Sequence, residues 1–218
     1  MDKYAVLVFP DQCINDEQQY RFSTHFGPME TATGDIATQS SERRLSMQVN
    51  DISNLDKDGK VLERDNRARL FGLGNMLWHS DSSFKSTPAK FSLLSAREIP
   101  EQGGNTEFAD MRCAWDSLAP ELQTECMNLN CEHSQIYSRG KLGFEDFTDE
   151  EREKWQPVLQ RLVRRHPRTD RLSLYLSSHI GTIKDLPVPE ARLLISDLTE
   201  HATQREYVYT HSWHKWDL

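Results

Sequence analysis

The chain has 218 residues with a formal net charge of −8, and 37% of its residues are hydrophobic and 28% charged. This length fits one domain around a single core, and the composition favours a soluble protein. The acidic balance argues against a nucleic-acid partner, and no apolar run is long enough for a membrane helix. The four cysteines have no C-x-x-C spacing, which argues against a zinc ribbon and favours reduced thiols in the cytoplasm.

The first part of the chain predicts strands, one capped helix and a long loop. Residues 4–9 are apolar and β-branched, as in a buried strand. Asn15 and Gln18 have the spacing of a capping box, which starts a helix. Residues 30–44 are polar and rich in Thr, Ser and Gly, so we expect a loop there. The Asp58-Gly59 pair predicts a hairpin turn.

The second part of the chain mixes helices with short strands. Pro120 fits the first position of a helix, Thr148 and Glu151 form a second capping box, and Pro189 begins an amphipathic helix. The pattern also predicts helices at residues 111–118 and 120–127, and strands at residues 90–99, 131–137, 160–166, 172–177 and 207–211. Together these elements indicate a β-rich α+β protein.

The segment Trp78-His79-Ser80-Asp81 carries the clearest chemical signal. If it is a strand, His79 and Asp81 point to the same face, because strand side chains alternate. An imidazole and a carboxylate at one spot are two of the three protein ligands in the 2-His-1-carboxylate triad, which binds non-haem Fe(II) and leaves sites open. The alternative is a strand end with a half-buried histidine and a solvated aspartate.

Several long blocks of sequence place this motif in a recognisable context. They are "LWHSDSSF", "PAKFSLLSAREIPEQGGNTEFADMR", "CEHSQIYSRGKLGF" and "LPVPEARLLISDLTEHATQREYVYTHSW". In this order they resemble the taurine / 2,4-dichlorophenoxyacetate dioxygenase (TauD/TfdA) family of Fe(II)- and 2-oxoglutarate-dependent enzymes. The resemblance covers nearly the whole chain, and W-H-S-D-S-S-F brings it nearest to the 2,4-dichlorophenoxyacetate branch.

The resemblance implies a double-stranded β-helix, which is a jelly-roll barrel, with flanking helices in a single dioxygenase domain over residues 1–218. In the family, the second metal histidine and an arginine that binds 2-oxoglutarate follow the segment that ends here at Leu218. We therefore expect a fragment, trimmed at both ends, of a longer protein. The alternative is a degenerate relative that lacks these two residues.

The family also implies roles for particular residues of this chain. His79 and Asp81 match the metal ligands and catalytic pair, with Fe(II) as the metal, and Thr106 matches the threonine that hydrogen-bonds the cosubstrate 2-oxoglutarate. Asn75 occupies a position that the family points at substrate, although a loop-capping role is the equal alternative. The remaining histidines are expected to be structural, with a minority expectation that two line the substrate pocket: His166 and His179.

The expected reaction is hydroxylation of an aryloxyacetate such as 2,4-dichlorophenoxyacetate, with O2 as the second substrate. Hydroxylation beside the ether oxygen gives a phenol and glyoxylate, while 2-oxoglutarate yields succinate and CO2. The alternatives are a taurine or alkylsulfonate dioxygenase, and a catalytically dead barrel with a binding role. Partners are then a small carboxylic acid and O2, with no nucleic acid or membrane, and a homo-oligomer is an open expectation.

Overall fold

The computed structural model describes residues 2–30, 44–45 and 49–218, and within these ranges it contains seven α-helices and seven β-strands. The helices are α1 (Asp16–Ser23), α2 (Arg67–Gly72), α3 (Met111–Asp116), α4 (Pro120–Cys126), α5 (Gln135–Gly140), α6 (Asp149–Lys154) and α7 (Val188–Ala202). The strands are β1 (Thr106–Ala109), β2 (Asn130–His133), β3 (Val158–Arg161), β4 (Val163–Arg165), β5 (Leu172–Leu174), β6 (Ile180–Ile183) and β7 (Val208–His211). Short 3-10 turns cover Thr24–Phe26, Leu73–Met76 and Arg205–Tyr207.

The helix starts follow the capping signals in the sequence. The Asn15 side chain accepts from the backbone N–H of Gln18, whose own side chain accepts from Asn15, so the predicted capping box opens α1. Thr148 and Glu151 make the same reciprocal pair at α6. These bonds satisfy backbone donors that have no partner inside the helix.

The strands pair antiparallel in three small sheets. β1 pairs with β7, β2 lies between β3 and β6, and β4 pairs with β5. The β1–β7 pair joins strands that are far apart in the chain, with Thr106 opposite His211. The α+β class is confirmed, although the strands are short and more of the described residues lie in helices than in strands.

Several predicted elements differ in extent. Residues 4–9 and 90–99 form no regular strand: each has a single residue paired through its backbone to the 216–218 segment, Phe9 with Leu218 and Ala96 with Trp216 and Asp217. The strand predicted over residues 131–137 ends at His133, because Ser134 caps α5. The predicted Asp58-Gly59 hairpin is present, and most of the predicted loop at residues 30–44 lies outside the described residues.

The core lies between α3, α7 and the strands. Its buried residues include Ala114 and Trp115 from α3, Leu198 from α7, and strand residues such as Leu174 and Ile183. Because apolar side chains of α7 recur at helical spacing, one face of this helix enters the core and the other faces solvent. No helix of the described part of the chain is both long and apolar enough to cross a bilayer.

Two leucines of α7 allow a matched test of this packing. Leu198 is 1% exposed and Leu193 is 66% exposed. We predict that Leu198→Ala lowers the free energy of unfolding by about 2–5 kcal/mol, because it leaves a cavity in the core. Leu193→Ala should change it by less than about 0.5 kcal/mol. Urea unfolding of both variants measures the difference, and equal losses would contradict the assigned face of α7.

Candidate active site

His79 and Asp81 lie outside any strand, so the predicted strand for this motif is wrong. The segment follows the 3-10 turn at Leu73–Met76 and enters a turn at residues 81–84. Its neighbour is the segment after β5, to which it is tied by the bond from Ser178 N to the Trp78 carbonyl and by the Ser80 hydroxyl. A strand requires a regular backbone ladder, whereas two of the three hydrogen bonds between these segments involve a serine hydroxyl.

The two side chains nevertheless converge. The Nε2 atom of His79 lies 3.3 Å from Oδ1 of Asp81. Ser82 adopts a left-handed conformation with φ of 55°, which reverses the chain directly after Asp81. The hydroxyl of Ser92 donates to the other oxygen of Asp81 at 2.5 Å and fixes this carboxylate from the opposite side.

The hydrogen bonds of His79 determine which ring nitrogen is available. Its Nδ1 lies 2.7 Å from the Leu77 carbonyl, which can only accept, so Nδ1 carries the proton. In the neutral ring, Nε2 then presents a lone pair to the Asp81 carboxylate. Two acceptors at this separation need a cation or a proton between them, and a backbone bond on the other nitrogen is the usual support of a metal-binding histidine.

The electrostatics of the pair also favour a cation or a proton between His79 and Asp81. The hydrogen bond with Asp81 raises the pKa of His79, while the bond with His79 lowers the pKa of Asp81. The carboxylate is therefore ionised at neutral pH and attracts a positive charge to the Nε2 atom. The donor set of one imidazole and one carboxylate suits Fe(II) and related divalent metals.

The pair supplies two ligands, and a third is not nearby in the described part of the chain. Residues 2–30, 44–45 and 49–218 contain no group of three His, Cys, Asp or Glu side chains arranged to hold a metal ion. The predicted position of the third ligand, beyond Leu218, stays a prediction. A donor set of one imidazole and one carboxylate fits such a metal and is two of the three protein ligands of the facial triad.

His179 lies directly against the metal pair. Its ring packs edge-on against His79 with 6.1 Å between the centroids, and its Nδ1 is 2.8 Å from the Ser138 hydroxyl. It is almost fully buried, and this burial lowers the pKa of His179 to about 3. The neutral, buried ring of His179 can hold the His79 ring in its orientation. Direct contact between His179 and a substrate would require the ring to be accessible.

The turn that carries Asp81 rests on a buried polar network that the sequence did not indicate. Ser83 is fully buried, and its hydroxyl bonds to Nδ1 of His133 at 2.9 Å and to the Ser177 hydroxyl at 3.3 Å. The side-chain amide of Gln160 donates to the Ser83 carbonyl. Ser83 was part of the recognised block, but nothing in the sequence linked it to His133, which is fifty positions away.

Thr106 begins β1 at the edge of the β1–β7 pair. Its hydroxyl oxygen accepts a hydrogen bond from the Trp213 indole at 2.9 Å. Because an indole N–H can only donate, this contact uses the oxygen and leaves the hydroxyl hydrogen of Thr106 available. An available O–H donor is what binding of a carboxylate requires, so the geometry is compatible with the role that the resemblance implies.

Asn75 lies in the 3-10 turn before His79, and its Oδ1 accepts from Arg139 at 3.0 Å. The arginine is 4% exposed and was not singled out from the sequence, where it follows the strand predicted over residues 131–137. Its charge acts electrostatically on both His79 and His179. Asn75 is thus linked to His79 through Arg139, Ser138 and His179, and its position facing substrate stays a prediction.

His166 is not brought to the pair by the contacts that it makes. Its Nδ1 accepts from the backbone N–H groups of Arg168 and Thr169 at 3.4 and 3.2 Å and contacts the Thr169 hydroxyl. These bonds stabilise the turn between β4 and β5. The expectation that His166 lines the substrate pocket gains no support from them.

Comparison with known proteins identifies the family of this chain. The model of the "Taurine catabolism dioxygenase TauD, TfdA family" matches residues 1–218. The chain belongs to this family. The family resemblance inferred from the sequence blocks is therefore confirmed, and with it the class of oxidoreductase and the family cofactors Fe(II) and 2-oxoglutarate.

Individual relatives point to one branch of the family. The chain is 43% identical over 218 residues to an alpha-ketoglutarate-dependent 2,4-dichlorophenoxyacetate dioxygenase of Cupriavidus pinatubonensis, covering 100% of the chain and 76% of that protein. It is 37% identical over 219 residues to an (S)-phenoxypropionate/alpha-ketoglutarate-dioxygenase of Sphingobium herbicidovorans, covering 97% of the chain and 71% of that protein.

A solved structure is also closely similar. The crystal structure of AAD-2 in complex with Mn(II) and N-oxalylglycine superposes with a TM-score of 0.96 at 60% identity, covering 100% of this chain and 75% of that one. At this identity the fold and the family are shared. The Mn(II) ion in that family member is a divalent metal of the kind that the His79–Asp81 donor set favours.

The buried His133 makes stability depend on pH. Burial lowers the pKa of His133 to about 4, whereas an unfolded histidine titrates near 6.5. Below about pH 6.5 the unfolded chain binds a proton that the folded chain excludes, so the stability present at pH 7 is lost as the pH falls towards 4, by about 3 kcal/mol in all.

We predict that His133→Gln reduces this acid-dependent loss, because the buried titrating group is gone. Urea unfolding of the two proteins at pH 7, 6, 5 and 4.5 gives the free energy of unfolding as a function of pH. The free energy of unfolding should fall more steeply with decreasing pH in the parent, by a slope that corresponds to at most one additional bound proton in the unfolded chain. Parallel curves would show that His133 is not held neutral in the folded protein.

Proposed function

We propose that this protein is an Fe(II)- and 2-oxoglutarate-dependent dioxygenase that hydroxylates an aryloxyalkanoate such as 2,4-dichlorophenoxyacetate. The observation that carries the proposal is the 3.3 Å approach of His79 Nε2 to the Asp81 carboxylate, with Nδ1 already occupied by a backbone carbonyl. Family membership supports the reaction type. The names of the relatives from Cupriavidus and Sphingobium support the substrate class.

His79 and Asp81 would hold the metal, and a third histidine ligand would come from beyond Leu218. Bound Fe(II) would supply the O2 chemistry that couples oxidative decarboxylation of 2-oxoglutarate to hydroxylation of the substrate. The carboxylate ligand also matters for the outcome, because it fills the coordination position that halogenating relatives leave open for chloride. A protein with Asp81 in place is therefore suited to transfer hydroxyl.

Thr106 would bind the far carboxylate of 2-oxoglutarate. Its oxygen accepts from the Trp213 indole, so its hydrogen is directed to another acceptor. The arginine that completes this carboxylate site in the family is expected after Leu218. A threonine O–H and a guanidinium would together give one hydroxyl bond and one bidentate charged contact to the same group.

The products follow from where the hydroxyl is placed. Hydroxylation of the carbon between the ether oxygen and the carboxylate gives a hemiacetal. The bond between the hydroxylated carbon and the aryl ether oxygen then breaks, the hydroxyl proton goes to the departing aryl oxygen to give the phenol, and the remaining fragment is glyoxylate. Each turnover consumes one O2 and one 2-oxoglutarate and releases one succinate and one CO2.

We further propose that the short antiparallel strands belong to a double-stranded β-helix, the jelly-roll barrel of the family. Support comes from the similarity to AAD-2 and from the pairing of β1 with the distant β7.

A cytoplasmic location is proposed from the state of two cysteine thiols. Cys126 and Cys131 are buried and free, and burial raises their pKa values to about 11 and 12, so both are protonated and unreactive.

The alternative substrate is a sulfonate. A putative alpha-ketoglutarate-dependent sulfonate dioxygenase of Schizosaccharomyces pombe is 30% identical, but only over 132 residues that cover 57% of the chain. The aryloxyalkanoate relatives match the full chain at higher identity. A barrel that binds ligands without turnover is the second alternative, and the same assay separates all three.

We predict that the full-length protein, loaded with Fe(II), releases succinate and a phenol in equal amounts. The assay supplies it with 2-oxoglutarate, O2 and 2,4-dichlorophenoxyacetate. Phenol is followed colorimetrically and succinate by chromatography. His79→Ala should abolish both products by removing a metal ligand. Succinate release with taurine and none with any aryloxyacetate would overturn the substrate. Release with neither acid would favour the binding role.

We also predict that Thr106→Val raises the apparent 2-oxoglutarate constant by about one to two orders of magnitude, since a hydrogen bond to a charged group contributes roughly 1.5–3 kcal/mol. The constant for the aryloxy acid should change much less. Thr210→Val on the paired strand β7 is the matched control, because that threonine bonds to Glu107 on the exposed face. An unchanged 2-oxoglutarate constant in folded Thr106→Val would remove this residue from the site.

A further inference from the structure

Arg139 is a buried cation with an unusual setting. Its guanidinium is enclosed between the Phe71 ring, with 4.6 Å from the guanidinium carbon to the ring centroid, and the backbone of Gly74. A Cβ atom at Gly74 would lie 2.3 Å from the guanidinium carbon, so only glycine admits the arginine here. Burial lowers the pKa of Arg139 to about 10, which still leaves it charged at neutral pH.

The partners of this guanidinium are neutral. It donates to the Ser138 hydroxyl at 3.2 Å and to Asn75 Oδ1 at 3.0 Å, and its Nε has no partner. No carboxylate pairs with it among residues 2–30, 44–45 and 49–218. A buried charge is costly without a counter-ion, so its position here calls for a role beyond packing.

The contact determines how the Asn75 amide is turned. A guanidinium has donors only, so Asn75 must present its oxygen to Arg139, and its NH2 group points the other way. Asn75 is an exposed residue, and within the described parts of the chain no acceptor bonds to this NH2 group. A hydrogen-bond donor is thus fixed in direction and left open.

This donor belongs to the surroundings of the metal ligands. Asn75 lies in the 3-10 turn at Leu73–Met76, which is followed after two connecting residues by His79. On the other side, Ser138 bonds to both Arg139 and His179, and the ring of His179 packs on His79. The arginine and its amide are therefore joined to the metal pair through continuous contacts.

We propose that Arg139 is a positioning residue for Asn75, the residue to which the family resemblance gives a substrate-facing position: it fixes the Asn75 amide so that the NH2 group donates to the carboxylate of the aryloxyalkanoate substrate. Arg139 itself is enclosed and acts through Asn75, while its charge adds to the attraction of an anion. This inference rests on the proposed function, because it assumes an anionic substrate beside the metal. It assigns a specificity element to a residue that lies outside the metal and 2-oxoglutarate sites.

The test compares Asn75→Ala, Asn75→Asp, Arg139→Met and the double variant Asn75→Ala/Arg139→Met in the natural Fe(II)-loaded protein. Arg192→Met is the matched control, because Arg192 is an exposed arginine of α7 that also lies over an aromatic ring, that of Tyr137. KM and kcat are measured for the aryloxyacetate and for 2-oxoglutarate, and calorimetry gives the dissociation constant of the aryloxyacetate.

Loss of the donor in Asn75→Ala should raise the KM and the dissociation constant for the aryloxyacetate about tenfold or more. Asn75→Asp keeps the oxygen towards Arg139 but replaces the NH2 group by a second oxygen, so it should weaken binding further. Arg139→Met should raise the same constants several-fold. It should add nothing to Asn75→Ala in the double variant, because it acts through that amide. The 2-oxoglutarate constant and Arg192→Met should stay near the parent values.

An unchanged aryloxyacetate constant in Asn75→Asp overturns the inference, and this exposed substitution gives an answer even if Arg139→Met fails to fold. Additive effects in a folded double variant also overturn it, since Arg139 would then act independently of Asn75. Failure of the proposed function looks different: the unsubstituted protein itself would release no phenol. A lower unfolding temperature in Arg139→Met with unaltered binding would show a purely structural role.

Discussion

The other features of this site depend on one constraint, the separation of 3.3 Å between Nε2 of His79 and Oδ1 of Asp81. Neither His79 nor Asp81 can relax away, because the Leu77 carbonyl holds one ring nitrogen and the Ser92 hydroxyl holds the far carboxylate oxygen. The pair is therefore organised before any metal arrives. A preorganised pair binds a cation without the cost of ordering two side chains at that moment.

The support beneath the pair is polar and buried. Ser83 joins the turn to His133, and Ser138 joins His179 to the neighbouring helix. Both histidines are kept neutral by burial, so they supply hydrogen bonds without adding positive charge beside the metal site. The network gives up some stability at acid pH, and in return it fixes the ligand turn in one orientation.

The three residues to which roles in binding are proposed come from separate elements. Thr106 is on the first strand of a two-stranded sheet, Asn75 is on a 3-10 turn, and Arg139 is on a short helix. In the proposed function these residues have separate roles, with the Thr106 hydroxyl donating to the cosubstrate and the Asn75 amide donating to the substrate. Because the two donors are on different elements, a change in substrate preference need not disturb 2-oxoglutarate binding.

Local signals in the sequence were sufficient for some features. The capping boxes at Asn15 and Thr148 depend on residues three positions apart, so spacing alone predicted the starts of α1 and α6. The H-x-D motif predicted two metal ligands that the structure brings within 3.3 Å of each other, and the long sequence blocks identified the family. The strand proposed for the motif was wrong, because an alternating pattern does not show whether a neighbouring strand is present to pair with it.

Contacts between distant positions could only be decided by the tertiary structure. Arg139 reaches Asn75 across 64 positions, and His133 reaches Ser83 across 50. In the sequence, His133 looks like an ordinary residue of the strand predicted over residues 131–137, and Arg139 like a basic residue just after it. What gives them a role is burial and the direction of a single hydrogen bond. The sequence alone therefore indicated which two side chains have the chemistry to bind a metal, while packing determined how these side chains are held and which distant residues support them.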